Sequence, residues 1–238
     1  MKVLLVFAHP ERRSFCGAMR DTAREVLSAA GHELRSSDLY AMGFDPVGDR
    51  RDFLTAADLE FFKYQKEQLA ACEQGGFAPE LAAEMANLAW CDLVVFVFPL
   101  WWFSVPAILK GWFDRVLAMG FAYGGGRWFE TGPLRGRRAL LALTAGAWRE
   151  RYTEGAIFGG IERVLYPLHV GTLNLVGLDV LEPFIAWAPA RIGDEQRRAI
   201  LSDWRRRLAG IEHEVPLPMH TVADHPDPMI ERAKAFKI

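Results

Sequence analysis

The sequence predicts an α/β protein, a doubly wound five-stranded parallel sheet with helices on both faces. Three observations lead there. Short continuous apolar runs such as Val3–Ala8 and Leu93–Phe98 read as strands buried on both faces. Segments with apolar residues at three- and four-residue steps alternate with them and read as helices. Five strands in this alternation suggest the order 2-1-3-4-5, whose ligands bind beyond the strand carboxyl ends where the order reverses.

The elements follow in turn. Val3–Ala8 is the first strand; His9-Pro10 ends it, and Ser14 can cap the next helix. Phe15, Met19, Ala23, Val26 and Ala30 form one helical face, closed by Gly31. His32–Leu39 is the second strand. An insertion of loop and helix, about residues 40–79, follows it and carries Gly43, Pro46, Gly48 and the aromatic run Phe61-Phe62-Lys63-Tyr64. Glu80–Cys91 is a helix and Leu93–Phe98 the third strand. Ser104 and Pro106 begin a helix whose apolar face is Val105, Ile108, Leu109, Trp112, Phe113, Val116 and Leu117. Leu140–Thr144 is a strand, Glu162–Val170 a helix, and Val180–Trp187 the last strand. Asp194–Leu208 closes the domain, with Ile200, Leu201, Trp204 and Leu208 inward. The domain is expected over residues 1–211. Residues 212–238, with Pro216, Pro218, Pro226 and Pro228, are expected as an extended arm over the domain or a partner subunit.

Composition narrows the function. Apolar residues make up 51% of the 238, enough for a large core, and the net charge is −2. That balance argues against nucleic acid or a membrane surface as partner. The pairs and triplet Arg197-Arg198 and Arg205-Arg206-Arg207 read as a solvated helix face. No stretch has the length and apolarity of a membrane span or signal peptide. Three cysteines, Cys16, Cys72 and Cys91, lack metal or disulfide spacing. Reduced thiols and a cytoplasmic location are expected. His213, His220 and His225 are expected to be exposed histidines, not metal ligands.

Three loops should meet at the strand carboxyl ends. The first, H-P-E-R-R-S-F-C-G-A from His9, lacks G-x-G-x-x-G, so a permanently held nicotinamide is not expected there. Its helix N-terminus and Ser14 suit a phosphate, with Gly17 and Ala18 keeping the approach open, although a capped helix that binds nothing has the same pattern. The second, F-P-L-W-W-F-S-V-P, sets aromatic rings where solvent is expected. A flat ligand or a partner subunit would cover them. The third, T-A-G-A-W-R-E-R-Y-T-E-G, lets backbone N–H groups approach a planar heterocycle; Tyr152 could donate a hydrogen bond, but taken alone it reads better as a half-buried loop tyrosine.

Together these loops resemble the NAD(P)H:quinone oxidoreductases, a family of flavodoxin-like fold. The resemblance runs from Met1 to about Pro218 and is weakest over Arg50–Pro79. It is carried by A-H-P-E-R-x-S-F, S-D-L-Y-A-M-x-F-x-P, F-P-L-x-W-F-x-V-P-A-I-L-K-G-W-F-D-R-V and G-F-A-Y. In length the chain is similar to the shorter, dihydronicotinamide-riboside-using member. The resemblance implies a homodimer with FAD at its interface and NAD(P)H as co-substrate. It also implies ping-pong transfer of a hydride to a quinone-like, azo or nitroaromatic acceptor. FMN is the less favoured flavin, because the first loop and Arg197 suit adenosine phosphates. By carry-over, His9, Phe15, Cys16, Gly17 and Ala18 hold the pyrophosphate and adenosine side, and Leu100, Trp101, Trp102 and Phe103 flank the isoalloxazine. Thr144, Ala145, Gly146 and Ala147 supply donors, Tyr152 is the catalytic residue that stabilises charge near N1 and O2, and Arg197 reaches the phosphates. Tyr123, Gly124 and Gly125 line the acceptor slot toward the other subunit's flavin, with Trp128 adding bulk.

Departures from the family pattern are equally specific. Thr144-Ala145-Gly146-Ala147 replaces T-T-G-G. Phe158, at the edge of the acceptor slot, stands where the family has the histidine or asparagine that works with the tyrosine. The shorter member's metal ligands fall on Val170, Asn174 and Met219, so no metal is expected. Two other functions fit the same frame, a flavin-binding sensor subunit of a membrane transporter and a one-electron flavodoxin carrier. The balanced charge and aromatic slot argue against the carrier.

Overall fold

A computed structural model describes residues 1–224; His225, Pro226, Pro228 and the rest of the expected arm lie outside the described residues. The elements are β1 (Lys2–Phe7), α1 (Phe15–Ala29), β2 (Glu33–Asp38), α2 (Tyr64–Gln74), α3 (Pro79–Trp90), β3 (Leu93–Pro99) and α4 (Ala107–Val116). They continue with β4 (Arg138–Ala145), α5 (Ile161–Leu168), β5 (Asp179–Val180), β6 (Phe184–Trp187) and α6 (Asp194–Ala209). The strands lie in the expected order β2-β1-β3-β4-β5, and all pairs are parallel.

Strand alternation explains the continuous apolar runs. Val3, Leu5 and Phe7 point into the layer shared with α1 and α6. Leu4, Val6 and Ala8 point into the opposite layer, with α3, α4 and α5. Each residue of the run is therefore buried, which a half-solvated strand would not permit. On the first face Trp204 of α6 donates its Nε1–H to the Met19 carbonyl at 2.9 Å, tying α6 to α1. On the second, buried Glu84 of α3 accepts from the Ser37 hydroxyl at 2.9 Å and from Trp112 Nε1 at 2.7 Å. A buried carboxylate is tolerated because its oxygens are paired.

Four readings are corrected. The expected last strand Val180–Trp187 is two short strands, β5 and β6, both beside β4. Pro183 lies between them and has no N–H to give a ladder. Ser104 closes a turn ahead of α4, whose cap is Pro106. On α1, Leu27 is buried where Ala30 was expected, and Ala30 is exposed. His220 is half-buried, edge-on to Tyr166 with centroids 5.8 Å apart.

The insertion is anchored by charge. Asp52, in its loop, takes two hydrogen bonds from Arg115 of α4, at 2.8 and 3.1 Å, and one from the Tyr64 hydroxyl. The Asp52 and Arg115 side chains are almost wholly buried. Beyond α6, the described part of the arm lies over the domain. Leu217 N–H bonds the Val180 carbonyl at 2.8 Å and Arg207 holds Glu214 at 2.7 Å.

Candidate active site at the strand carboxyl ends

The first loop leaves β1 beside the point where strand order reverses. His9 Nδ1 accepts the Glu11 N–H at 3.0 Å, which puts the ring proton on Nε2. Burial lowers the His9 pKa, so the imidazole is neutral at neutral pH. Ser14 caps α1, its hydroxyl accepting from Gly17 N–H at 3.2 Å. A Cβ on Gly17 would lie 1.8 Å from the Arg12 carbonyl oxygen. Gly17 thus lets the loop fold back on the first helical turn. The N–H groups of Phe15 and Cys16 keep no partner among the described residues, as expected of a helix start.

The second loop makes a two-residue turn. Trp101 and Ser104 exchange both backbone hydrogen bonds, at 3.0 and 2.9 Å. Between them Trp102 and Phe103 sit at φ 51° and 57°. Such a turn ordinarily takes asparagine and glycine, and left-handed backbone costs other residues about 1–2 kcal/mol each. The strained turn displays its side chains: Trp102 is 98% exposed and Phe103 46%. Its two central N–H groups are also unpaired among the described residues. Leu100 is tied down, its N–H bonding the Thr144 carbonyl at 2.8 Å.

The third loop leaves β4 next to the first. Cys16 Sγ lies 3.3 Å from Thr144 Oγ1 across the two loops. Burial raises the Cys16 pKa to about 11, so it is a neutral thiol. Ala145 is buried in the sheet, its carbonyl accepting from Ala188 N–H at 2.8 Å. Gly146 and Ala147 N–H groups have no partner among the described residues. Tyr152 packs among Phe158 (5.1 Å between centroids), Trp187 (5.2 Å) and Phe103 (6.1 Å). Burial raises its pKa, so its hydroxyl stays protonated, and no described residue takes that proton. With phenylalanine at 158, Tyr152 has no histidine partner there.

A cleft of about 530 Å³ opens between the first and third loops and the start of α6. His9, Arg13, Ser14, Phe15, Cys16, Ala18, Thr144, Pro189, Ala190 and Arg197 line it. Arg197 donates Nε–H to the Pro189 carbonyl at 2.9 Å and pairs with Asp194. Arg13, Pro189 and Ala190 were not singled out from the sequence. Arg13 stood inside the first motif, whereas Pro189 is delivered by the left-handed backbone of Ala188 (φ 45°), which carries no sequence signal.

Tyr123, Gly124 and Gly125 belong to another surface. Tyr123 lines a groove of about 340 Å³ that also includes Ser104. Gly124 and Gly125 border a hollow of about 350 Å³ beside α2. Trp128 lines none of these cavities; its N–H bonds the Thr131 hydroxyl at 3.1 Å.

The donor set suits a flavin. Unpaired N–H groups of Trp102, Phe103, Gly146 and Ala147, with the Tyr152 hydroxyl, match the acceptors on the polar edge of an isoalloxazine. The helix start, Arg13 and Arg197 match a pyrophosphate tail.

Fold and cleft together define a doubly wound protein with a cleft at a helix start beside exposed aromatic rings. The flavodoxin-like fold family matches residues 1–209. The chain is 42% identical over 218 residues to ribosyldihydronicotinamide dehydrogenase (quinone) of Pongo abelii, covering 91% of this chain and 94% of the relative. To NAD(P)H dehydrogenase (quinone) 1 of Rattus norvegicus it is 40% identical over 217 residues, covering 91% and 79%. The crystal structure of a proposed quinone reductase from Klebsiella pneumoniae superposes with TM-score 0.91 at 37% identity, covering 97% of this chain and 93% of that one. The chain therefore belongs to the flavodoxin-like fold family, in the branch of the NAD(P)H and ribosyldihydronicotinamide quinone oxidoreductases.

Proposed function

We propose that this protein is a flavin-dependent NAD(P)H:quinone oxidoreductase that works by ping-pong kinetics on FAD. The observation that carries the reading is a cleft at a helix start with exposed aromatic rings beside it: His9 of the cleft lies 6.2 Å from Trp101, and Phe103 of the same turn lies 6.1 Å from Tyr152. A flavin held there would supply two-electron hydride chemistry between a reduced nicotinamide and a quinone-like, azo or nitroaromatic acceptor.

The protein's part is binding and orientation. Trp101, Trp102 and Phe103 give a flat apolar surface on which ring systems stack and from which water is displaced. Backbone donors and the neutral Tyr152 hydroxyl stabilise negative charge gathering on the polar edge of the ring, without a group that must first ionise. His9 offers Nε2–H, and Arg13 and Arg197 offer guanidinium groups, to the phosphates. The first loop and Arg197, which share the cleft and suit adenosine phosphates, favour FAD over FMN.

Trp102, exposed on the single chain, needs a cover. A second copy supplies it in this reading, making a homodimer that completes each site and brings Tyr123, Gly124 and Gly125 toward the opposite flavin. Among the described residues no helix is long and apolar enough to cross a membrane. Unpaired Cys16, Cys72 and Cys91 fit the reducing cytoplasm.

The test is steady-state oxidation of NADPH by menadione with the flavin-loaded protein, varying both substrates. Parallel double-reciprocal lines are expected. A flavin-bound protein with no turnover would point instead to the sensor role. Chromatography of heat-released flavin assigns FAD or FMN.

A further inference from the structure

Helix α2 of the insertion makes polar contacts to the loop that carries Tyr123. Gln68 is buried, with 2% of its surface exposed. Its Oε1 accepts the Met119 N–H at 3.1 Å and its Nε2–H donates to the Asp114 carbonyl at 3.4 Å. One side chain thus holds the end of α4 and the start of the loop. One residue further on, Gly120 lies against α2 with φ +91°, and a Cβ there would sit 2.9 Å from Cys72 Cβ. At the loop's far end Gln65 Nε2–H donates to the Tyr123 hydroxyl oxygen at 3.2 Å.

We propose that α2 sets acceptor choice, with Gln68 and Gln65 as positioning residues: Gln68 fixes the loop, and Gln65 turns the Tyr123 O–H toward the carbonyl of a quinone. The inference rests on the quinone-reductase reading above. Its chemistry is direct. A phenol oxygen that already accepts one hydrogen bond is a stronger donor through its own proton. Among the described residues that proton has no other taker. Because the proposed homodimer brings Tyr123 toward the opposite flavin, its O–H stands beside an acceptor stacked there. The site then prefers acceptors with a ring carbonyl over those that exchange electrons without a directed hydrogen bond.

The test compares menadione, which has carbonyls, with ferricyanide, which has none, in the flavin-loaded enzyme. Gln65→Glu keeps the side chain's shape and removes the donor; Gln65→Leu removes all polarity; Tyr123→Phe removes the recognising proton. Each is expected to lower kcat/KM for menadione about fivefold, the factor of one ordinary hydrogen bond, and the two Gln65 variants are expected to leave ferricyanide unchanged. Gln65→Leu combined with Tyr123→Phe should be no worse than either alone, because both act through one contact. An active wild type whose Gln65 variants affect both acceptors equally, affect neither, or add to Tyr123→Phe overturns this proposal alone. A flavin-loaded wild type inactive with both acceptors overturns the quinone-reductase reading and this proposal with it.

Discussion

Burial raises the Tyr152 pKa, and the residue beside it is Phe158, so the proposed function casts the phenol as a fixed hydrogen-bond donor and not as a link in a proton chain. Tyr152→Phe is expected to keep flavin bound, since the ring contacts persist, and to slow flavin reduction by NADPH about tenfold in stopped flow. Unchanged reduction would remove Tyr152 from the account. Trp102 poses the opposite question, a residue that costs stability where it stands. Asparagine tolerates left-handed backbone and suits the first central position of this turn. Trp102→Asn is therefore expected to stabilise the flavin-free protein by about 1 kcal/mol, read from urea unfolding, and to weaken flavin binding. At this scale the sequence revealed composition better than direction. His9, Cys16, Thr144 and Arg197 reached the cleft as expected. Gly17 also makes room for the Arg12 carbonyl, a contact made only once the loop folds back and so unmarked in the sequence.

Elements show where periodicity speaks and where it is silent. β1 and β3 were legible because burial on both faces leaves an unbroken apolar run. The last strand was misread because Leu181, Glu182 and Pro183 sit within an otherwise apolar stretch, and only pairing with β4 reveals the break. The insertion was the least legible part. Its α2 buries Glu67 and Gln68, polar side chains with no apolar period to mark them. Glu67 accepts the Ala57 and Asp58 N–H groups at 2.6 and 3.1 Å, and Asp52 holds Arg115. Removing one partner of such a buried pair strands the other's charge. Asp52→Ala is expected to lower stability by about 3–5 kcal/mol in urea unfolding, with the loss centred on the insertion in hydrogen exchange. A loss below about 1 kcal/mol would mean that Arg115 finds water instead.

For the molecule as a whole, strand order and the position of the site were readable because a doubly wound sheet directs ligands to one edge. Assembly was not, since a face meant for a partner and a face meant for a flat ligand have the same aromatic composition. The strained Trp102–Phe103 turn belongs to both accounts: among the described residues its central N–H groups have no partner, and the Trp102 ring is uncovered. The homodimer and the flavin site therefore stand as one structure in this reading, and both serve a single reaction. That reaction is tested most directly by separating its halves without oxygen. NADPH alone should bleach the bound flavin completely, and menadione added in a second mix should restore its colour, each step at least as fast as turnover. Flavin that NADPH leaves oxidised, or that menadione does not reoxidise, would contradict the account.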